Sequence, residues 1–125
     1  MKIEVSIGEL VDKITILEIK LKNVTDAEKI KNVKTELDIL KKGLENIPIN
    51  DTHKLYVDLK EINQALWDIE DKIRIKEKNK EFDQEFIELA RSVYFTNDKR
   101  AMLKRAIDVE SGSLIINEKQ YEDYQ

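Results

Sequence analysis

The stretch "LYVDLKEINQALWDIEDKI" (Leu55–Ile73) sets Leu55, Leu59, Ile62, Leu66, Ile69 and Ile73 at alternating steps of four and three residues. That spacing places every one of them on a single stripe of an α-helix and none on the alternating face of a strand. The preceding run repeats the pattern with Ile30, Val33, Leu37, Leu40, Leu44 and Ile47. Two apolar stripes in succession must bury against one another or against further helices, which predicts a helical bundle.

The flanking punctuation completes the count. "VSIGEL" (Val5–Leu10) offers Ser6 as N-cap, Glu9 three residues on to close a capping box, and Val5 with Leu10 as a hydrophobic staple. Thr25 and Glu28 suggest a second box, Asn50 or Asp51 a cap for the third helix, and Asp83 a cap for the fourth, with Phe82 and Ile87 as its staple. Gly43 and Pro48 end the second helix near Asn46, and the third runs to about Lys78. The fourth stops around Gly112, leaving "LIINEKQYEDYQ" as a short C-terminal tail. Short connections make neighbours antiparallel. The expectation is therefore all-α: an up-down antiparallel bundle of four helices within one domain, residues 1–125. The last two span about 40 Å against about 25 to 30 Å for the first two.

Composition agrees with this and excludes several functions. With 38% charged residues, three Gly and one Pro, the chain favours helix over sheet turns. There is no cysteine and one histidine, His53, so thiolate chemistry and Cys- or His-cluster metal sites are excluded. The 22 basic and 26 acidic residues are interspersed and give a net charge of −4, which argues against nucleic acid as a partner. The longest apolar runs are too short for a membrane span, and the first ten residues lack a signal peptide's apolar core, so a cytoplasmic protein without membrane contact is expected.

The fourth helix breaks the apolar rule. In "ARSVYFTNDKRAMLKRAID" (Ala90–Asp108), a turn of about 100° per residue centred on Val93 brings Phe86, Arg100 and Lys104 within about 20° of the inner face and Asn97 within about 40°. On the first helix Glu18 falls between Ile14 and Leu21. Unpaired buried charge is costly, so these groups should meet. The expected interior layer is Glu18, Asn97 and Arg100, roofed by Trp67 and Tyr94, with Lys104 a turn further on. Glu70 and Arg74 form a separate surface pair. A drifted register through Leu89, Val93, Thr96, Leu103 and Ile107 would leave only Arg100 central, and buried polar layers commonly set register without doing chemistry.

Two helices also carry a second apolar face. Ile16 and Ile19 lie away from Leu10, Ile14, Leu17 and Leu21, and Phe95, Met102 and Val109 recur every seven residues on the fourth helix. A helix apolar on two sides is buried on two sides. A homodimer covering these faces is the expected arrangement, with packing by the tail as the alternative.

Catalytic patterns are sparse. Glu9 with Asp12, and Asp68 with Asp71, are carboxylates three residues apart that would suit Mg²⁺ if the chain hydrolysed nucleotides. Glu9 is already engaged by its capping box, and Asp68 and Asp71 project from the seam. No Gly-rich phosphate loop and no serine nucleophile elbow is present.

The blocks "VSIGELVDKITILEIK" (Val5–Lys20), "ALWDIEDKIR" (Ala65–Arg74) and "FIELARSVYFTNDKRAMLKRAI" (Phe86–Ile107), followed by Gly112, Ser113 and "EKQYEDY" (118–124), resemble a small family of functionally uncharacterised helical domains from bacteria and marine phages. The resemblance covers nearly the whole chain and implies a helical fold with no assigned activity. It marks Trp67, Asp68, Asp71, Arg91, Tyr94, Asn97, Asp98 and Arg100 as motif positions, and carries over no catalytic role. The functional expectation is a non-enzymatic accessory or protein-interaction module that homodimerises and needs neither metal nor cofactor. The alternative is a small-anion or nucleotide site at Asn97, Arg100 and Lys104, the one reading that would call for Mg²⁺.

Overall fold

The computed structural model describes residues 1–118; the end of the expected tail, with most of the "EKQYEDY" block, lies outside the described residues. The chain is an all-α four-helix bundle: α1 (Ile7–Asn23), α2 (Ala27–Lys42), α3 (Lys54–Lys78) and α4 (Gln84–Ser111). Among the described residues there is no strand.

Local chemistry explains each boundary. Ser6 Oγ accepts the Glu9 amide at 3.1 Å and starts α1, and Asp83 accepts the Phe86 amide at 3.0 Å and starts α4. Gly112, with φ +71, ends α4 in the left-handed region that a residue without Cβ adopts at least cost. Two expected caps are corrected. Asp26, not Thr25, caps α2, because its carboxylate takes the Glu28 amide at 2.8 Å and suits the positive end of the helix dipole. His53, not Asn50 or Asp51, caps α3: Asn50 is spent on Thr52 in the turn before, and His53 Nδ1 accepts the Leu55 amide at 3.1 Å. Helix α2 also stops at Lys42 rather than near Asn46. Residues 43–45 tighten into i to i−3 hydrogen bonds, and Asn46 turns out with φ +70.

α1 packs against all three other helices, whereas the backbone of α2 packs against α1 alone. Val11, Ile14 and Leu17 of α1 meet Leu37 of α2, Ile49 of the connecting loop, Tyr56 and Leu59 of α3, and Ile107 of α4 in one buried cluster. This core occupies the end of the α3/α4 pair where both helices meet α1. Gly8 permits the approach: a Cβ there would fall on the Lys104 carbonyl group and within 2.7 Å of Asp108 Oδ1. The Gly8 amide donates to that same Asp108 oxygen at 2.6 Å.

The second face of α1 is closed within the chain at Ile19 but not at Ile16, which stays half-buried. Ile19 is 1% exposed, and Gly8, Asp12 and Thr15, which share its stripe, are buried as well. By contrast Met102 and Val109 on the outer face of α4 stay 72% and 56% exposed, while Phe95 is half-buried beside Tyr94. The far ends of α3 and α4 extend past α1 as an antiparallel hairpin. Lys76 pins its turn through Glu81, Asp83 and Glu85 at 3.2, 2.9 and 3.2 Å.

Candidate functional site

The interior polar layer exists, but its acid is Asp12. This carboxylate, 1% exposed, receives Arg100 Nε at 2.9 Å and Nη2 at 2.5 Å, a bidentate clamp across α1 and α4. Asn63 of α3 donates Nδ2 to Asp12 Oδ1 at 3.0 Å and to Thr15 Oγ1 at 2.9 Å, and the Thr15 hydroxyl donates to the Asp12 carbonyl at 2.9 Å. Lys104 Nζ lies 3.9 Å from Asp12 and 2.6 Å from Glu9. Three helices are thus joined by one paired network, as the cost of isolated buried charge requires.

The electrostatics follow from this packing. Burial alone would raise the Asp12 carboxyl, but the hydrogen bonds from Arg100 and Asn63, with the charges of Arg100 and Lys104, outweigh it and hold it below the ordinary carboxylate value. The hydrogen bond from Arg100 to Asp12 holds the guanidinium proton more firmly than usual, despite partial burial. Lys104 occupies the space between Glu9 and Asp12, so this carboxylate pair, the first candidate for Mg²⁺, already holds a cation of the chain's own. Among the described residues no group of three or more acidic or histidine side chains is arranged around a metal position.

Glu18 belongs elsewhere. It accepts the Tyr56 hydroxyl and lies 3.4 Å from Lys60 Nζ, both on α3. Arg100 does not reach it, because Asp12 is the acid that faces α4 where the two helices meet. Burial, and then Glu18, push the Tyr56 phenol well above its ordinary value, so it remains a donor.

The α1-facing stripes of α3 and α4 continue beyond the end of the shared core and form a groove of about 630 Å³. Trp67, Asn97 and Arg100 come together there, with Asn63, Glu70, Asp71 and Arg74, over a floor of Ile16 and Leu66. Lys104 does not join them; it borders a smaller cavity of about 130 Å³ with Arg105 and Asn117. The expected anion triad of Asn97, Arg100 and Lys104 is therefore split. Tyr94 does not roof the groove but stacks beside Phe95, its hydroxyl 3.3 Å from Arg91 Nε. Asp68 is exposed and accepts from Gln64 at 3.2 Å; Asp98 is half-buried on α4.

Asp12, Asn63 and Thr15 were missed because Asp12 and Thr15 lie off the stripe of Ile14, Leu17 and Leu21, and Asn63 lies beside the stripe of Ile62 and Leu66. The available signal was the stripe Gly8, Asp12, Thr15, Ile19, in which small and apolar residues surround the acid at heptad spacing.

No curated protein and no solved structure matches the chain. One family model spans residues 1–124, and on that match the chain belongs to a family of unknown function (DUF6165).

Proposed function

We propose that the protein is a non-enzymatic, cytoplasmic helical module that acts by pairing with a second copy through the overhanging α3/α4 hairpin. One observation carries this reading: from Gln64 to Leu103 not a single residue is buried. The apolar seam nonetheless continues through Leu66, Ile69, Ile73, Phe86, Leu89 and Val93, all half-buried. Two helices zipped along such a stripe leave its edge open to water, and a third element laid over that edge would bury it. Two hairpins packed face to face would make a second four-helix bundle.

The charges favour a second copy over an unrelated partner. A two-fold interface places the same patch against itself, so each acid must find its base on the identical surface. Glu70 and Arg74, 3.8 Å apart on one helix, satisfy this when two α3 helices cross antiparallel between them, Glu70 of each copy opposite Arg74 of the other. None of the described helices is long and apolar enough to cross a membrane.

Light scattering on the eluting protein is expected to give twice the 14.7 kDa chain mass. Arg74→Glu should yield monomer, and Glu70→Arg combined with Arg74→Glu should restore the dimer. A wild-type monomer at about 100 µM refutes the reading, since an interface that weak would lie outside the range of specific pairs. If instead Met102→Lys dissociates a dimer that Arg74→Glu leaves intact, the outer face of α4 is the interface.

A further inference from the structure

We infer that one stripe of α4, running from Asp108 out to Arg91, is the docking surface for the chain's own residues 119–125. Asp108, Arg105, Ala101, Asp98, Tyr94 and Arg91 follow at alternating steps of three and four, so they share one face of the helix, away from the seam of Val93, Leu103 and Ile107. The base of this stripe already holds the start of the tail. Gly112 turns the chain, the Asn117 amide donates to Asp108 Oδ2 at 3.3 Å, and Arg105 Nε donates to Glu118 Oε1 at 2.9 Å. One step along the tail, from Asn117 to Glu118, moves the contact back from Asp108 to Arg105. The chain therefore runs antiparallel to α4 and heads for Ala101.

The stripe ahead has the right shape and length. Where the tail reaches Arg105, a cavity of about 130 Å³ opens between Glu118 and α4, and Ala101, which lines it, presents only a methyl group. From Arg105 to Arg91 the helix rises about 21 Å, and the seven residues after Glu118, if extended, reach about 23 Å.

Side-chain character then matches in order. From Arg105 the stripe reads basic, neutral, acidic, aromatic and basic, while "EKQYEDYQ" (118–125) reads acidic, basic, neutral, aromatic and twice acidic before a second tyrosine. With Glu118 on Arg105, the same register brings Lys119 to Asp98, Tyr121 to Tyr94, and Glu122 with Asp123 to Arg91. The outer end of the stripe is made of residue types that carry binding energy. Tyr94 is 40% exposed, its ring lies 4.9 Å from that of Phe95, and Arg91 is 3.3 Å from the Tyr94 hydroxyl and 6.0 Å from the Phe95 ring.

Tethering selects this occupant over a separate one. Residues 119–125 begin one residue beyond their anchor, at an effective concentration on the order of millimolar, which a free peptide of the same chemistry does not reach. Docking there braces α4 where it extends past α1. It uses a different face from the inner groove that the dimer covers, so the two readings are independent.

The chain has no cysteine, so Gln125→Cys in the full-length protein takes a single spin label, read through the amide signals of the ¹⁵N-enriched chain. The expected result is loss of the Arg91, Tyr94 and Phe95 signals, their return when the label is reduced, and retention of those of Ser6 and Asp108 at the base. Asp98→Lys should abolish that loss, and adding Lys119→Glu should restore it, with circular dichroism verifying the helicity of both variants. Losses centred on Ser6 and Asp108 overturn the inference, as do losses at Tyr94 that Asp98→Lys leaves unchanged. Losses that vanish when the labelled chain is diluted into excess unlabelled chain also overturn it, since the segment then lies on the partner copy. The readout is the position of the tail and not a mass, so failure here leaves the dimer proposal standing.

Discussion

Replacing Asp12 by alanine is the sharpest test of how this fold is held. The carboxylate is buried and takes two hydrogen bonds from Arg100, one from Asn63 and the charge of Lys104 at 3.9 Å. Removing one member of a buried pair costs about 3–5 kcal/mol, mostly through the charge left behind. Two features place this protein at the lower end. Arg100 borders the groove, where water can resolvate it, and Lys104 keeps Glu9 at 2.6 Å. The expected loss is about 3 kcal/mol, a large part of a domain's usual ~5–15 kcal/mol. At this chain length that lowers Tm by about 10 °C. Thermal and urea unfolding followed by circular dichroism measure it. Asp12→Ala with Arg100→Met should recover more than half of the loss, because an apolar pair leaves no orphan charge. A single-variant loss under about 1 kcal/mol, or a double variant no better than the single, would show that the network does not bear on stability.

Further outcomes follow from the same geometry. Because the Asp12 carboxyl titrates below its unfolded value near 3.9, its contribution is complete above that pH and is lost as pH falls through the lower folded value. Wild-type stability should therefore drop below about pH 4 more steeply than that of Asp12→Asn; parallel profiles would contradict this. Gly8→Ala should destabilise by about 2–3 kcal/mol through the clash with the Lys104 carbonyl, although Gly→Ala in an open helix stabilises by up to ~1 kcal/mol. The sign of the measured change decides it. Gly112→Ala has no steric neighbour within 4 Å, so its cost should be the backbone term of about 1 kcal/mol, and Gly112→Asn should regain most of it. Tyr56→Phe removes the donor to Glu18 and should cost about 1–2 kcal/mol in urea unfolding without altering the bundle's helicity.

Much of the molecule was legible in the order of its residues because helix formation is local. Ser6, Asp83 and Gly112 mark ends through hydrogen bonds and backbone preferences that act within a turn, and the structure uses them as expected, but the expected capping box forms only by half because the Glu9 carboxylate pairs with Lys104. The misplaced caps, Thr25 for Asp26 and Asn50 or Asp51 for His53, are choices between adjacent polar residues. These depend on which side chain the preceding turn leaves free. Trp67, Asn97 and Arg100 were expected to gather, and they share the groove, since their positions on α3 and α4 follow from periodicity and antiparallel register.

The identity of Arg100's partner could not be reached in that way. Glu18 and Asp12 both lie on buried stripes of α1, and periodicity ranks the acid among the isoleucines as the interior one. Which stripe meets α4 depends on how α1 crosses the α3/α4 pair. That crossing is set by the fit of Gly8 against the Lys104 carbonyl, a contact between residues far apart in the chain. The same crossing turns Lys104 away from Asn97, encloses Ile19, and leaves the outer half of the hairpin without a third helix. Helix type and ends arise from interactions within a turn or two, where neighbouring residues suffice. Partner choice, burial and the open groove arise from long-range packing, where one close backbone approach decides between two equally plausible faces.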